Sequence, residues 1–158
     1  MTLQRSQQFD SGRIGILPVP WIKKVDQSAR IVCDQMATVL IVDDQGETGQ
    51  ILTRVIECLG HHGVYVASGP DALQYVREQL PDAILLDYMM PEMDGLEVLR
   101  ALRKDPRMRD VPVIMFSANS DPKILERALN AGASDYWVKS AVRIDEMETR
   151  LMRLLPAN

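Results

Sequence analysis

The chain has little cysteine, few aromatic residues, no long apolar run and no excess of basic residues. Its two cysteines, Cys33 and Cys58, form neither a CxxC pair nor a cluster with histidine, which excludes structural zinc and favours a reducing compartment. Aromatic residues make up 5% of the chain and the net charge is −4, which argues against nucleic-acid binding. No apolar run reaches the length of a membrane span, and no signal-peptide pattern is present. We therefore expect a cytoplasmic protein with no membrane partner and no direct contact with nucleic acid.

Short apolar segments alternate with helical patterns from residue 38 onward. The predicted strands are 38–42, 63–67, 83–86, 111–116 and 134–138, and the predicted helices are 47–60, 70–79, 96–104, 122–130 and 144–155. The strands are solid apolar runs, as expected for strands covered on both faces. Strict alternation of this kind predicts an α/β fold with a five-stranded parallel sheet and helices on both faces.

The first 36 residues differ in pattern from the rest of the chain. Residues 1–35 carry a net charge of +2 and the remainder −6. Glycine and proline interrupt residues 1–20, and a weak helical stripe runs from Trp21 to Met36. We expect residues 1–36 to be an extension, disordered or partly helical, with Met36 as an alternative start. Residues 37–155 then form the domain and 156–158 a tail. The competing interpretation is a basic tail that uses Trp21 as an anchor.

Polar residues follow the predicted strands at the point where each strand ends. Asp43 and Asp44 follow the first strand, Asp87 follows the third, Ser117 the fourth and Lys139 the fifth. Either acid of the first pair alone would be interpreted as a helix cap. If the first and third strands are neighbours, however, three carboxylates converge at the edge where α/β sheets place their sites. Two such charges about 4 Å apart repel by roughly 4 kcal/mol at an effective dielectric near 20. Oxygen ligands favour Mg²⁺ over zinc, and the set suits phosphoryl transfer to a carboxylate.

Four motifs together resemble the response-regulator receiver domains of two-component (histidine-to-aspartate phosphorelay) signalling. They are VLIVDDQ, ILLDYMMPEMDGLEVLR, VPVIMFSA and AGASDYWVK, and the resemblance spans residues 37 to about 155. It implies a flavodoxin-like sheet with strand order 2-1-3-4-5, which places the first and third strands side by side. It also implies a regulatory phosphoacceptor, which promotes only its own phosphorylation and dephosphorylation, and not an enzyme acting on other substrates.

The resemblance implies a role for each acidic residue. Asp87 corresponds to the phosphoacceptor, and it also contributes to the metal site. Asp44 would bind Mg²⁺ directly, Asp43 would bind it through water, and the backbone carbonyl of Met89 would be a further ligand. Gly95 matches the loop that shapes the site.

The same resemblance implies the groups that would hold and sense the phosphoryl group. Lys139 and Ser117 would contact its oxygens, supported by the backbone N–H of Ala118. Tyr136 matches the aromatic residue that swings inward when the serine or threonine moves. On residue pattern alone, Tyr136 could equally be an ordinary aromatic at a strand end.

Two departures from the family pattern bear on these roles. The family lysine is usually followed by proline in a cis peptide, whereas Lys139 is followed by Ser140. A non-proline cis bond costs about 2.5–4 kcal/mol, so this bond is either trans or strained, which puts the reach of Lys139 in question. Gly46 and Gly49 each weaken a helix by about 1 kcal/mol relative to alanine, and we expect them to loosen the start of the first helix.

The function predicted is a stand-alone receiver that accepts a phosphoryl group from a histidine kinase or phosphotransfer protein. Because the sequence stops after the fifth helix, we expect output through a downstream protein or a homodimer, using the fourth helix, fifth strand and fifth helix. The candidate surface residues are Ile124, Leu125, Leu129 and Met152, although we expect core packing for at least two of them.

Two alternatives remain open. One is a degenerate receiver that acts as a scaffold without phosphorylation. The other is an Mg²⁺-dependent aspartyl phosphatase, which would need a second acid where Gln45 stands.

Overall fold

The computed structural model describes residues 36–155, so the predictions for residues 1–35 and 156–158 lie outside the described residues. Strands and helices alternate as predicted, with one short 3-10 helix, Pro106–Met108, that the pattern did not indicate. The strands are β1 (Thr38–Val42), β2 (His62–Val66), β3 (Ala83–Asp87), β4 (Val113–Ser117) and β5 (Asp135–Val138). The helices are α1 (Gly46–Cys58), α2 (Gly69–Glu78), α3 (Gly95–Lys104), α4 (Pro122–Asn130) and α5 (Ile144–Leu154). Among the described helices, none has the length and hydropathy needed to cross a membrane.

The five strands form one parallel sheet in the order β2-β1-β3-β4-β5, which confirms the predicted topology. β1 and β3 are neighbours, with Val42 paired to Leu86. Asp43 follows Val42 directly, and Asp87 follows Leu86. The register therefore brings these two acids to the same point on the carboxyl edge of the sheet.

Successive residues of each strand point to opposite faces of the sheet, and each face has its own apolar layer. Helices α2, α3 and α4 pack against one face, and the apolar side chains there are called the α2/α3/α4 layer. Helices α1 and α5 pack against the other face, where the side chains form the α1/α5 layer. Neighbouring residues of β5 illustrate the alternation, because Tyr136 belongs to the α2/α3/α4 layer and Trp137 to the α1/α5 layer. Both strand faces are covered, which explains the solid apolar runs in the sequence.

The outer helices expose more apolar side chains than the sequence pattern predicted. We expected core packing for at least two of four candidate surface residues, and this is wrong, because only Ile124 packs against the core. The exposed fractions are 37% for Leu125, 44% for Leu129 and 56% for Met152. An amphipathic helix buries one stripe against the sheet. In α4 that stripe holds Ala128 and Ile124, so residues one position further along face outward.

The start of β5 is held to α5 by an ion pair. Asp135 accepts hydrogen bonds from the Arg150 guanidinium at 2.6 and 2.9 Å and from the Trp137 indole N–H at 2.7 Å. Burial alone would raise the pKa of Asp135, but these donors outweigh it and lower the pKa below its ordinary value. Arg150 also lies over the Trp137 ring, 5.3 Å from its centroid. These contacts hold α5 against the strand from which Lys139 extends.

The first turn of α1 has weak local support. Its N-cap residue, Gln45, makes no side-chain capping hydrogen bond, and Gly46 and Gly49 follow. A missing cap costs about 1 kcal/mol, as does each glycine relative to alanine. Gly49 also has a packing role, because this residue is buried and a Cβ atom there would overlap the ring of Tyr65. Whether the start of the helix is loose stays a prediction.

The loop between β3 and α3 is tightly folded beside Asp87. Its Glu92 has a φ of 67°, in the left-handed region, and the Gly95 N–H donates to the Tyr88 carbonyl at 2.9 Å. Asp94 then caps α3 in a reciprocal pair with Glu97. A Cβ atom on Gly95 would overlap the backbone carbonyl oxygen of Asp87. Only glycine therefore allows α3 to begin so close to the end of β3.

We predict that Gly95→Ala lowers the free energy of unfolding by about 1–3 kcal/mol, the usual cost of overpacking. Gly46→Ala is the matched control, because it also stands in the first turn of a helix but a Cβ atom there meets no atom closer than 4.0 Å. That control should be neutral or stabilising by up to about 1 kcal/mol. Urea unfolding measures both. Equal unfolding midpoints for Gly95→Ala and the unmodified protein would contradict the close approach seen at this loop.

Candidate functional site

Three carboxylates meet at the carboxyl edge of β1 and β3. Asp43 and Asp87 are buried, with exposed fractions of 1% and 4%, and Asp44 is exposed. One oxygen of each carboxylate lies within 4.8 Å of the other two. The convergence predicted from the strand ends is therefore present. No other group of acid, histidine or cysteine residues in the described part of the chain has metal-binding geometry.

Lys139 supplies the positive charge between the two buried acids. Its Nζ lies 2.7 Å from Asp43 Oδ2 and 3.5 Å from Asp87 Oδ2. The other oxygen of Asp43 accepts a hydrogen bond from the backbone N–H of Gln45 at 2.9 Å. Residues 36–155 contain no cis peptide bond, so the bond from Lys139 to Ser140 is trans. The trans bond leaves the ammonium group within reach of both acids.

Asp87 is a buried acid whose charge is only partly compensated. Burial raises the pKa of Asp87 from 3.8 to about 6, Lys139 opposes this, and Asp43 adds to it. Its Oδ1 receives a single long hydrogen bond, 3.4 Å from the backbone N–H of Met89. The two buried acids thus share one ammonium group, and the exposed Asp44 adds a third negative charge, which leaves negative charge uncompensated at the site.

The donor set fits a hard divalent cation. All three side-chain ligands offer carboxylate oxygens, which are the ligands that Mg²⁺ prefers, and their spacing allows one ion to contact all of them. Asp44 and Met89 line an open cleft beside the site, together with Tyr88, Met90, Pro91 and Asp94. A cation can therefore approach from solvent without displacing the core. Whether the Met89 carbonyl is a ligand stays a prediction.

Ser117 lies at the end of β4, next to the acids, and is fully buried. Its hydroxyl accepts a hydrogen bond from the Asn119 N–H at 3.1 Å, and its carbonyl accepts one from the Lys139 N–H at 2.8 Å. Ala118 follows and is exposed. Ser117 is thus tied both to the β5 end and to the loop that leads into α4, and the phosphoryl contacts of Ser117 and the Ala118 N–H stay predictions.

Tyr136 is turned inward in this structure. It is 5% exposed, packs in the α2/α3/α4 layer, and its hydroxyl donates to the Asn119 carbonyl at 2.7 Å. Ser117 therefore binds the backbone N–H of Asn119, and Tyr136 binds the backbone carbonyl of the same residue. The sequence motifs predict Ser117 and Tyr136 as switch residues but do not indicate Asn119, because Asn119 contacts both of them through its backbone.

Tyr65 is a second residue at the site that the sequence pattern did not indicate. It lies on β2, and its hydroxyl donates to the backbone carbonyl of Asp43 at 2.9 Å. Burial raises the pKa of Tyr65, and the charges of Asp43 and Asp44 add to the effect. The signal that could have found it is Gly49, since a glycine inside a helix often marks the close approach of another group.

Comparison with known proteins identifies the family. The family model for the response regulator receiver domain matches residues 39–151. The chain belongs to this family. The receiver fold, with its 2-1-3-4-5 sheet, and the place of the chain among two-component proteins are thereby confirmed. Receiver domains are regulatory phosphoacceptors that bind Mg²⁺ and interact with histidine kinases or phosphotransfer proteins.

Curated relatives of this receiver carry further segments. The chain is 39% identical over 137 residues to the cyclic di-GMP phosphodiesterase response regulator RpfG of Xanthomonas campestris pv. campestris, covering 85% of this chain and 34% of that protein. It is 39% identical over 101 residues to the DNA-binding response regulator MtrA of Mycobacterium tuberculosis, covering 64% of this chain and 43% of that protein. The chain thus spans less than half the length of these relatives.

Solved receiver structures align with this chain over almost their whole length. A putative response regulator from Chloroflexus aurantiacus aligns with a TM-score of 0.72 at 31% identity, covering 76% of this chain and 98% of that one. The receiver domain of a sensor histidine kinase from Pseudomonas aeruginosa PAO1 aligns with a TM-score of 0.69 at 30% identity, covering 75% and 97%. That structure has a magnesium ion coordinated in its active-site cleft.

We predict that Asp87→Asn stabilises the metal-free receiver at neutral pH. Because the pKa of Asp87 is raised from 3.8 to about 6 on folding, the stability linked to its protonated form is present below pH 4 and is lost as pH rises through 6. Asparagine cannot ionise and avoids this loss. In chelator, the variant should exceed the unmodified protein by about 1–3 kcal/mol at pH 7.5 and by much less at pH 4.5. Urea unfolding at the two pH values measures the difference, and a difference independent of pH would contradict the raised pKa.

Proposed function

We propose that this receiver accepts a phosphoryl group on Asp87 from a phosphohistidine of a histidine kinase or phosphotransfer protein. The observation that supports this most directly is the site itself: three carboxylates within 4.8 Å and Lys139 placed between Asp43 and Asp87. Asp87 is the acid at the centre of this arrangement, because β3 lies between β1 and β4 in the sheet. The proposal makes the protein a regulatory phosphoacceptor and not an enzyme with a separate substrate.

In the proposed reaction, a carboxylate oxygen of Asp87 attacks phosphorus. The O–P bond forms, the P–N bond of the phosphohistidine breaks, and the electron pair of that bond stays on the imidazole. The phosphoryl group brings about −1.5 to −2 charges into a site already rich in carboxylates. Lys139, 3.5 Å from Asp87 Oδ2, would then share its charge with the new oxygens, and the Ser117 hydroxyl and Ala118 N–H would donate to them.

Mg²⁺ would be held by Asp44, Asp43 and Asp87, with the Met89 carbonyl as a further ligand. When bound, the ion would neutralise charge on the acids and on the transferring phosphoryl oxygens. This chain's own contribution is to fix the ligands. The N–H of Gln45 and the ammonium of Lys139 orient the Asp43 carboxylate from two sides.

A series of short contacts leads from the site to α4. The Asn119 N–H donates to the Ser117 hydroxyl, the Asp121 N–H donates to the Asn119 side-chain carbonyl at 2.8 Å, and the Lys123 N–H donates to Asp121 Oδ1 at 2.9 Å. Asp121 is the N-cap of α4. If the Ser117 side chain rotates toward a phosphoryl group, its oxygen would move away from the Asn119 N–H, and the loop and the start of α4 would lose that constraint. The Tyr136 hydroxyl, bound to the Asn119 carbonyl, is affected by the same movement.

The surface altered in this way would be formed by α4, β5 and α5. Its exposed apolar residues in α4 are Leu125 and Leu129, and Met152 is exposed on α5. We propose that a downstream protein, or a second copy of the receiver in a homodimer, binds this surface in the cytoplasm.

We predict that a small-molecule phosphodonor with Mg²⁺ adds one labile phosphoryl group to the protein, and that the reaction requires Asp87. Intact mass spectrometry measures the adduct, and it should be absent in chelator and in Asp87→Asn. Asp82→Asn is the matched control, because Asp82 is an exposed acid at the opposite end of β3 that accepts a hydrogen bond from the Thr38 N–H.

Absence of the adduct in folded protein would contradict the proposal and favour a scaffold that works without phosphorylation. Steady release of phosphate from phosphomonoester substrates would instead favour an aspartyl phosphatase.

We predict that Ser117→Ala separates phosphorylation from the response of α4. The two proteins are compared at equal adduct occupancy. On phosphorylation, the unmodified protein should show faster amide exchange in the loop after β4 and at the start of α4. Ser117→Ala should show no change, because its hydrogen bond to Asn119 is already absent. Ser120→Ala, an exposed serine in the same loop, is the control and should respond like the unmodified protein. An undiminished response in Ser117→Ala would contradict the proposed path.

A further inference from the structure

Tyr65 contacts the site from a strand that contributes none of the predicted ligands. It stands on β2, opposite Ile41 in β1, and its side chain packs in the α1/α5 layer. Its hydroxyl donates to the backbone carbonyl of Asp43 at 2.9 Å. This carbonyl belongs to the peptide unit that joins Asp43 to Asp44, so the hydrogen bond acts on the link between the two acids.

The position of the Tyr65 ring depends on Gly49. Gly49 is buried in α1, and a Cβ atom there would overlap three atoms of the Tyr65 ring. The ring therefore lies directly on the backbone of the first turns of α1. Any other residue at position 49 would push the ring away and with it the hydroxyl that reaches Asp43. Gly49 and Tyr65 thus form one complementary pair.

The turn that carries the acids needs this outside support. Gln45, the N-cap of α1, makes no side-chain capping hydrogen bond, and glycine stands at both position 46 and position 49. Asp43 is held at its N–H by the Val66 carbonyl at 3.3 Å and at its carboxylate by Gln45 and Lys139. The Tyr65 hydroxyl holds the remaining group of Asp43, its carbonyl oxygen. Asp44 makes no hydrogen bond of its own among those of the described residues, so its place depends on the turn.

We propose that Tyr65 is a positioning residue for the Asp43–Asp44 pair, with Gly49 as the residue that lets it approach, and that the pair tunes divalent-cation affinity. The inference rests on the proposed function, because it concerns the same Mg²⁺ site. Groups that orient metal ligands from behind typically change metal affinity by about 10- to 100-fold when they are removed. Tyr65 binds the backbone of Asp43 and not its carboxylate, so we expect an effect at the lower end of that range.

The test is a Mg²⁺ titration of the full chain followed by amide NMR shifts, with the Tm in chelator measured in parallel. Tyr65→Phe should weaken Mg²⁺ binding about tenfold. Tyr75→Phe is the matched control, because Tyr75 is also half-buried and its hydroxyl donates to the Gln79 side chain at 3.3 Å, away from the acids. It should bind Mg²⁺ like the unmodified protein. Gly49→Ala keeps the hydroxyl but displaces the ring, and should also weaken binding.

Two results would overturn the inference in distinguishable ways. If the unmodified protein binds Mg²⁺ and Tyr65→Phe binds it equally well, Tyr65 has no positioning role, even where its Tm is lowered. If the unmodified protein binds no Mg²⁺ at all, the proposed function fails together with the inference. A loss of affinity in Tyr65→Phe and Gly49→Ala, measured where both variants are fully folded, supports the inference.

Discussion

Electrostatic repulsion among three carboxylates is the constraint on which the site depends. The parallel register of β1 and β3 places Asp43 and Asp87 side by side, and both are buried, so water cannot screen them. Lys139 offsets part of this repulsion with contacts of 2.7 Å to Asp43 and 3.5 Å to Asp87. The pKa of Asp87 is still raised to about 6, first because burial disfavours its charged form and then because Asp43 adds its charge, and Lys139 offsets only part of this. The arrangement is therefore suited to receiving a cation and costs stability without one.

The backbone around the acids is shaped to keep them in this arrangement. Gly95 lets α3 begin against the carbonyl of Asp87, and Gly49 lets the ring of Tyr65 lie against α1. In each case the missing glycine side chain leaves room for a close contact near the carboxylates: the start of α3 in one case and the Tyr65 ring in the other. The ion pair of Asp135 with Arg150 stabilises the position of β5, the strand that leads directly into Lys139.

Much of this could be predicted from the sequence, for identifiable reasons. The strands are covered on both faces, so each is a solid apolar run, and their strict alternation with helices leaves few topologies. The acids Asp43, Asp44 and Asp87 stand at strand ends, which made their convergence predictable once the strand order was inferred.

The errors concern features that a linear pattern does not encode. Leu125 and Leu129 are apolar yet exposed, because the buried stripe of α4 is narrower than its apolar content suggests. The roles of Asn119 and Tyr65 depend on hydrogen bonds to backbone carbonyls, which their own residue types do not reveal. The packing role of Gly49 depends on Tyr65 in the neighbouring strand, and helix propensity takes no account of that strand.

The sheet also separates two apolar layers, one on each of its faces. Its two apolar layers share no side chains among the described residues, because adjacent strand residues face opposite ways. The contacts that run from Ser117 through Asn119 to Asp121 and Tyr136 all lie toward the side of α4. A rearrangement there need not repack Trp137, Met147 or Leu151 on the other side. The surface around α1, which none of these contacts reaches, would then keep a constant shape, while the side of α4 would report which state is present.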